Sequence, residues 1–185
     1  MKKLLLSLAA VAFIFSACGP KTQSIHLGDF TATIPASYEI LHQEDSYPES
    51  AALYIQSEDG ALLALNNIVY YSDEEIEHVE DLYDGIEGFL ENKIIELFNN
   101  VDEGPLHEQL FSEFTIEDID EIKFDEDGVG RFAFSGVFGE EDQPFVGDII
   151  IYFHGGALVK QLALADTDEQ IEELNKIALD LKFDE

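Results

Sequence analysis

Apolar residues recur along this chain with two different periods, and the switches between them mark out its elements. Ile25, Leu27 and the run Phe30-Thr31-Ala32-Thr33-Ile34 alternate as a strand does, and Pro35 stops the ladder. Residues 51–56 and 61–71 are two further apolar runs separated by Ser57-Glu58-Asp59-Gly60. An Asp-Gly step between such runs predicts a hairpin. Ser72-Asp73-Glu74-Glu75 then has the form of a capping box, and it opens a segment in which Ile76, Val79, Tyr83, Ile86, Leu90, Ile94 and Leu97 are spaced by three and four. That spacing predicts one long amphipathic helix, with Gly85 and Gly88 inside it marking close packing onto a sheet.

Residues 99–105 end the helix, and Leu106, Leu110 and Phe111 suggest a short helical turn before Phe114-Thr115-Ile116. Residues 122–124 and 130–138 flank Asp125-Glu126-Asp127-Gly128 and predict a second hairpin. A third is predicted from residues 145–154 and 157–164 around Gly155-Gly156. Phe145, Gly147, Ile149, Ile151 and Phe153 would line one face of its first strand, with Val146, Ile150 and Tyr152 on the other, so the strand needs cover on both sides and belongs at the centre of a sheet. Thr167-Asp168-Glu169-Gln170 caps a last helix running through Ile171, Leu174, Ile177 and Leu181. Residues 25–185 thus form one α+β domain, a mostly antiparallel sheet with a long helix and a C-terminal helix packed on it. The opening Phe30-Thr31-Ala32-Thr33-Ile34-Pro35, the hairpin before a long helix, the late hairpin at Gly155-Gly156 and the closing Leu181-Lys182-Phe183 resemble the PsbP-like fold of photosystem II extrinsic subunits and many bacterial lipoproteins. The resemblance implies an α/β/α sandwich used for accessory binding and assembly.

The first residues follow a different logic. Lys2 and Lys3 precede an apolar stretch over residues 4–17. At about 1.5 Å per residue it makes roughly 21 Å of helix, short of the ~30 Å membrane core, so it reads as a signal peptide. Phe15-Ser16-Ala17-Cys18 resembles the lipobox of bacterial lipoproteins, with Phe in place of the commonest Leu. The resemblance implies removal of residues 1–17 and acylation of Cys18, with palmitate among the expected chains. Cys18 is the sole cysteine and has no partner for an internal disulfide. Residues 18–24 are then the lipidated cysteine and a polar tether. Gly19 does not resemble the Asp of an inner-membrane retention signal, and no acidic cluster follows Cys18 to resemble a surface-export signal. An outer-membrane protein facing the periplasm is expected.

Charge narrows the partners. The 185 residues carry 40 acidic and 9 basic side chains, a net −31. Cleavage removes two lysines and no acid, leaving 168 residues at −33. Such a surface excludes nucleic-acid binding through phosphate contacts and attraction to anionic headgroups, so any membrane attachment is through lipid. A hydrophobic content of 46% with 14 Phe and 7 Tyr excludes disorder.

Signatures of catalysis are absent from the sequence. There is no phosphate loop or G-x-G-x-x-G, and Ser135-Gly136 lacks the glycine two residues earlier that a nucleophile elbow needs. Setting Gly128 at the sixth position of a calcium loop puts Lys123 and Phe134 where carboxylates are required. His78, with Glu74, Glu75 and Asp81 near it on a helix surface, is a candidate metal ligand set; the plainer account is a solvated acidic face. Phe132, Phe134 and Phe138 recur on one side of a strand beside Arg131, the sole arginine, as core or as an exposed stripe. No cofactor is expected. The expected function is a non-enzymatic, lipid-anchored envelope protein whose acidic domain binds a protein partner. The alternatives are capture of cationic ligands, such as basic peptides or divalent cations, and a hydrolase using two carboxylates.

Overall fold

The computed structural model describes residues 21–46, 50–103, 114–139 and 142–183. The expected signal peptide, Cys18 and the turn expected at Leu106, Leu110 and Phe111 lie outside those residues. The large sheet is built from β3 (Glu39–Ser46), β4 (Ser50–Gln56), β5 (Leu62–Tyr70), β6 (Phe114–Ile119), β8 (Gly130–Phe138), β9 (Gln143–His154) and β10 (Ala157–Ala165). Their order is β3-β4-β5-β10-β9-β8-β6, and the two-residue β7 (Lys123–Phe124) also pairs with β8. A small sheet is formed by β1 (Thr22–Leu27), β2 (Phe30–Pro35) and β11 (Lys182–Phe183), in the order β1-β2-β11. Every described pairing is antiparallel.

The three hairpins form as the sequence predicts. In the second, the Asp125 Oδ1 accepts the backbone N–H groups of Asp127 and Val129, each at 3.0 Å. That local bonding explains why an acidic tetrapeptide makes a turn here.

Strands β9 and β10 are central, and their two faces feed two cores. Ile149, Ile151, Leu158, Leu162 and Leu164 pack with Leu90, Ile94 and Leu97 of the helix on one side. Ala157, Ala163 and Ala165 pack on the other side with Ile171, Leu174 and Ile177, together with Ile25, Leu27, Phe30 and Ile34 of the small sheet. The layers are therefore helix, sheet, then helix beside a small sheet. Small alanines on the second face leave room for two kinds of element above it.

Three sequence expectations change, and one strand is added. Residues 22–24 of the tether belong to β1, where Thr22, Gln23 and Ser24 pair with Pro35, Ile34 and Thr33. The single long helix is two: α1 (Asp73–Tyr83) and α2 (Ile86–Glu103). Asp84 is left-handed at φ 59°, Gly85 follows at φ 108°, and a Cβ at Gly88 would lie 2.1 Å from the Tyr83 carbonyl oxygen. The two glycines thus serve a sharp break, with the end of α1 seated against the first turn of α2. The capping box itself is formed, with Ser72 and Glu75 bonding each other's backbone N–H groups. The last helix, α3 (Asp168–Leu179), stops at Asp180, so Leu181 reaches the core from a loop leading into β11. Finally, β3 was not apparent from the pattern, because all eight of its residues are exposed. Among the described residues no helix is long and apolar enough to cross a membrane.

Candidate functional site

Strand β8 alternates cleanly. Phe132 and Phe134 point into the α2 core, and the intervening Arg131, Ala133 and Ser135 face the other way. On that other face α3 covers β10 and β9 but stops short of β8 and β6. The uncovered strip is a cleft of about 410 Å³ between α3 and the sheet edge. Its floor comes from β8 and β9, one wall from Asp168, Ile171, Glu172 and Asn175, and the opposite wall from Asp118, Ile119 and Asp120. Concave sites with a few convergent polar groups are where proteins bind small ligands.

At the floor lies Asp148, only 8% exposed. The Asn175 Nδ2 donates to its Oδ2 at 2.6 Å, and the Asn175 Oδ1 in turn accepts from the Gln161 Nε2 at 2.5 Å. Gln161 is fully buried, and its Oε1 has no hydrogen-bond partner among the described residues. This chain of three polar groups ties β10 and β9 to α3. Burial pushes the Asp148 carboxyl up to about 6, while the Asn175 amide, the Arg131 charge and the Ile149 backbone N–H pull it down. Arg131 pairs with Ile150 and Ala133 with Asp148, so the guanidinium stem springs from the same face as the carboxyl, one diagonal away. The cleft therefore has an arginine, a buried carboxyl raised to about 6, and four acidic side chains on its walls.

Arg131 and Ser135, both singled out in the sequence, are brought together here. His78, Glu74 and Asp81 stay exposed on α1, and among the described residues no group of His, Cys, Asp and Glu side chains is placed to hold a metal ion. The aromatic stripe divides. Phe132 and Phe134 are core, with Phe98 edge-on to both at 5.0 and 5.4 Å, while Phe138 is 38% exposed. Asp148, Asn175 and Gln161 escaped the sequence reading. The signal was present in Asp148, the sole charge in an otherwise apolar strand from Phe145 to Phe153.

No protein-family model matches the sequence, and no curated protein sequence matches it. Solved structures do. The solution structure of cyanobacterial PsbP from Synechocystis sp. PCC 6803 is similar with a TM-score of 0.51 at 12% identity, over 90% of this chain and 96% of that one. LpqN, involved in cell envelope biogenesis of Mycobacterium tuberculosis, gives a TM-score of 0.30 at 12% identity, over 89% of this chain and 91% of that one. The α+β architecture, with helices on both faces of an antiparallel sheet, is the PsbP-like fold.

Proposed function

We propose that this protein is a lipid-anchored, non-enzymatic accessory protein of a bacterial cell envelope, held by Cys18 on the periplasmic side of the outer membrane, that takes a cationic ligand into the cleft beside α3. One observation carries the binding assignment: the carboxylates of Asp118, Asp120, Asp168 and Glu172 converge on a cavity whose floor carries Asp148. A low-dielectric floor under a ring of like charges raises the local concentration of cations and speeds their encounter. Arg131 sets a limit on what fits, because it repels an ammonium placed directly over it and would pair with an acidic group on the same ligand. A basic peptide segment, with its cations and its backbone carbonyls, suits such a site.

The anchor is supported by the Phe15-Ser16-Ala17-Cys18 run after an apolar stretch too short to span a bilayer. Labelling cells with a palmitate analogue tests it: the label is expected on the native protein and lost in Cys18→Ser, and a Cys18→Ser protein that stays labelled and membrane-bound refutes it. The cleft is tested with pentalysine. Binding is expected to weaken with salt and in Asp118→Lys and Glu172→Lys, but not in a matched reversal at Glu77 on α1. Equal binding by all four proteins refutes the cleft.

Asp148 favours a second reading, a hydrolase in which this carboxyl acts as the proton donor while an exposed wall carboxylate acts as its counterpart. Turnover of chromogenic glycosides that disappears in Asp148→Asn would support it.

A further inference from the structure

The large sheet ends at β3, which has no strand on its outer side among the described residues, and all eight of its residues are exposed. An edge strand carries a row of N–H and C=O groups aimed away from its single partner, and native proteins guard such rows by shortness, bulges or charge. Here the strand is long. It bulges at Leu41, between Ile40 opposite Ile55 and His42 opposite Tyr54, and then pairs regularly from His42 to Ser46. Leu41 is 47% exposed and Ile40 37%. Leu41 also lines a cavity of about 480 Å³ whose walls include Leu62, Phe138, Phe145 and Leu164. Beyond the bulge the side chains turn acidic. Glu44 and Asp45 stand opposite Ala52 and Ala51, so they project from opposite faces, and the strand contains no lysine or arginine.

We propose that β3 accepts an extended cationic segment of a partner protein as an added strand. The partner's apolar side chain lies against Leu41 at the mouth of the cavity, and its lysines or arginines lie against Glu44 and Asp45 on the two faces. Backbone pairing supplies the affinity of such an added strand, and the alternating pockets supply its specificity. Charge decides the occupant. A second copy would bring another chain of −31 against the first, whereas a basic strand neutralises the edge it covers. β3 and β6 are at opposite ends of the strand order, and although the cavity at Leu41 reaches β8 and β9 through Phe138 and Phe145, its Leu62, Phe145 and Leu164 belong to the α2 core face, whereas the α3 cleft opens on the other face, so the proposal does not rest on the cleft.

Hydrogen exchange on the purified full chain tests it. The probe is a blocked ten-residue peptide of alternating Lys and Val, with an alternating Glu and Val peptide and a backbone N-methylated Lys-Val peptide as controls. The Lys-Val peptide is expected to slow exchange in residues 39–46, and neither control is expected to do so. Glu44→Lys combined with Asp45→Lys, both exposed positions, should weaken binding roughly tenfold without altering circular dichroism. Protection that is absent from 39–46, that is confined to segments of the α3 cleft, or that is equal with the N-methylated peptide overturns the proposal. So does sedimentation showing a dimer that protects 39–46 without peptide.

Discussion

Asn175 on α3 donates its side-chain N–H to the carboxyl of Asp148 on β9 at 2.6 Å, so a buried amide holds a buried acid across the interface between helix and sheet. The pairing is neutral when Asp148 is protonated and charge-assisted when it is not, and burial favours the neutral state.

That preference makes stability depend on pH. The folded-state value, about 6, is raised above the ordinary 3.8. A raised acid contributes its stability fully below the unfolded value and loses it as pH climbs through the folded one. Between pH 4 and pH 7 the contribution falls by about 3 kcal/mol at most. Denaturant unfolding at several pH values is expected to show Asp148→Asn gaining on the native protein as pH rises, with the difference levelling off above about pH 7. A difference that does not change between pH 4 and pH 7 would contradict it.

Breaking the polar chain in its middle should cost more than removing its end. Asn175→Ala strands both the Asp148 carboxyl and the Gln161 amide in the core, and is expected to cost about 3 kcal/mol. Gln161→Met removes one bond but also removes an oxygen that lacks a partner among the described residues, so a cost under about 1.5 kcal/mol is expected. Urea midpoints of the two variants check the ranking.

Gly147 has no room for a side chain. A Cβ there would sit 2.3 to 2.8 Å from three carbons of the Phe134 ring, itself 4% exposed against Phe98 and Phe145. Gly147→Ala is expected to destabilise by about 2 kcal/mol, and adding Phe134→Leu should return part of that loss. A thermal unfolding cycle over the two single variants and the double variant measures the coupling.

Helix α1 is exposed along most of its length, with Val79 as its buried residue. Its start depends on the Ser72 and Glu75 box, and Ser72→Ala should cost about 1 kcal/mol. The loss should be local, read as faster amide exchange in residues 73–79 with little change in β9 and β10.

Where burial writes a period into the chain, the fold could be read from it. The hairpins at Gly60, Gly128 and Gly155-Gly156, the central place of β9 and the start of both capped helices all follow from alternation and turn residues. β3 could not be found that way, since a strand exposed on both faces needs no alternation. The break at Asp84 and Gly85 was hidden because Tyr83, Ile86 and Leu90 keep helical spacing across it, and two helices meeting at a sharp turn can share one apolar stripe. The cleft was half legible. Arg131 stood out as the single arginine, but Asp148 and Asn175 belong to strand and helix patterns whose other members are apolar, and a polar residue at a core position shows its partner only once both elements are placed.

The hydrogen bond from the Ala36 N–H to the Lys21 carbonyl, at 3.1 Å, closes the small sheet just before β1 begins. Only Gly19 and Pro20 stand between that clasp and Cys18. Three residue steps at about 3.5 Å span roughly 10 Å even when fully drawn out. With Cys18 acylated, the domain would be a short-leashed fixture, confined to a layer about its own thickness above the lipid. Its search for partners would then be two-dimensional, and a modest intrinsic affinity would suffice for any partner sharing that layer.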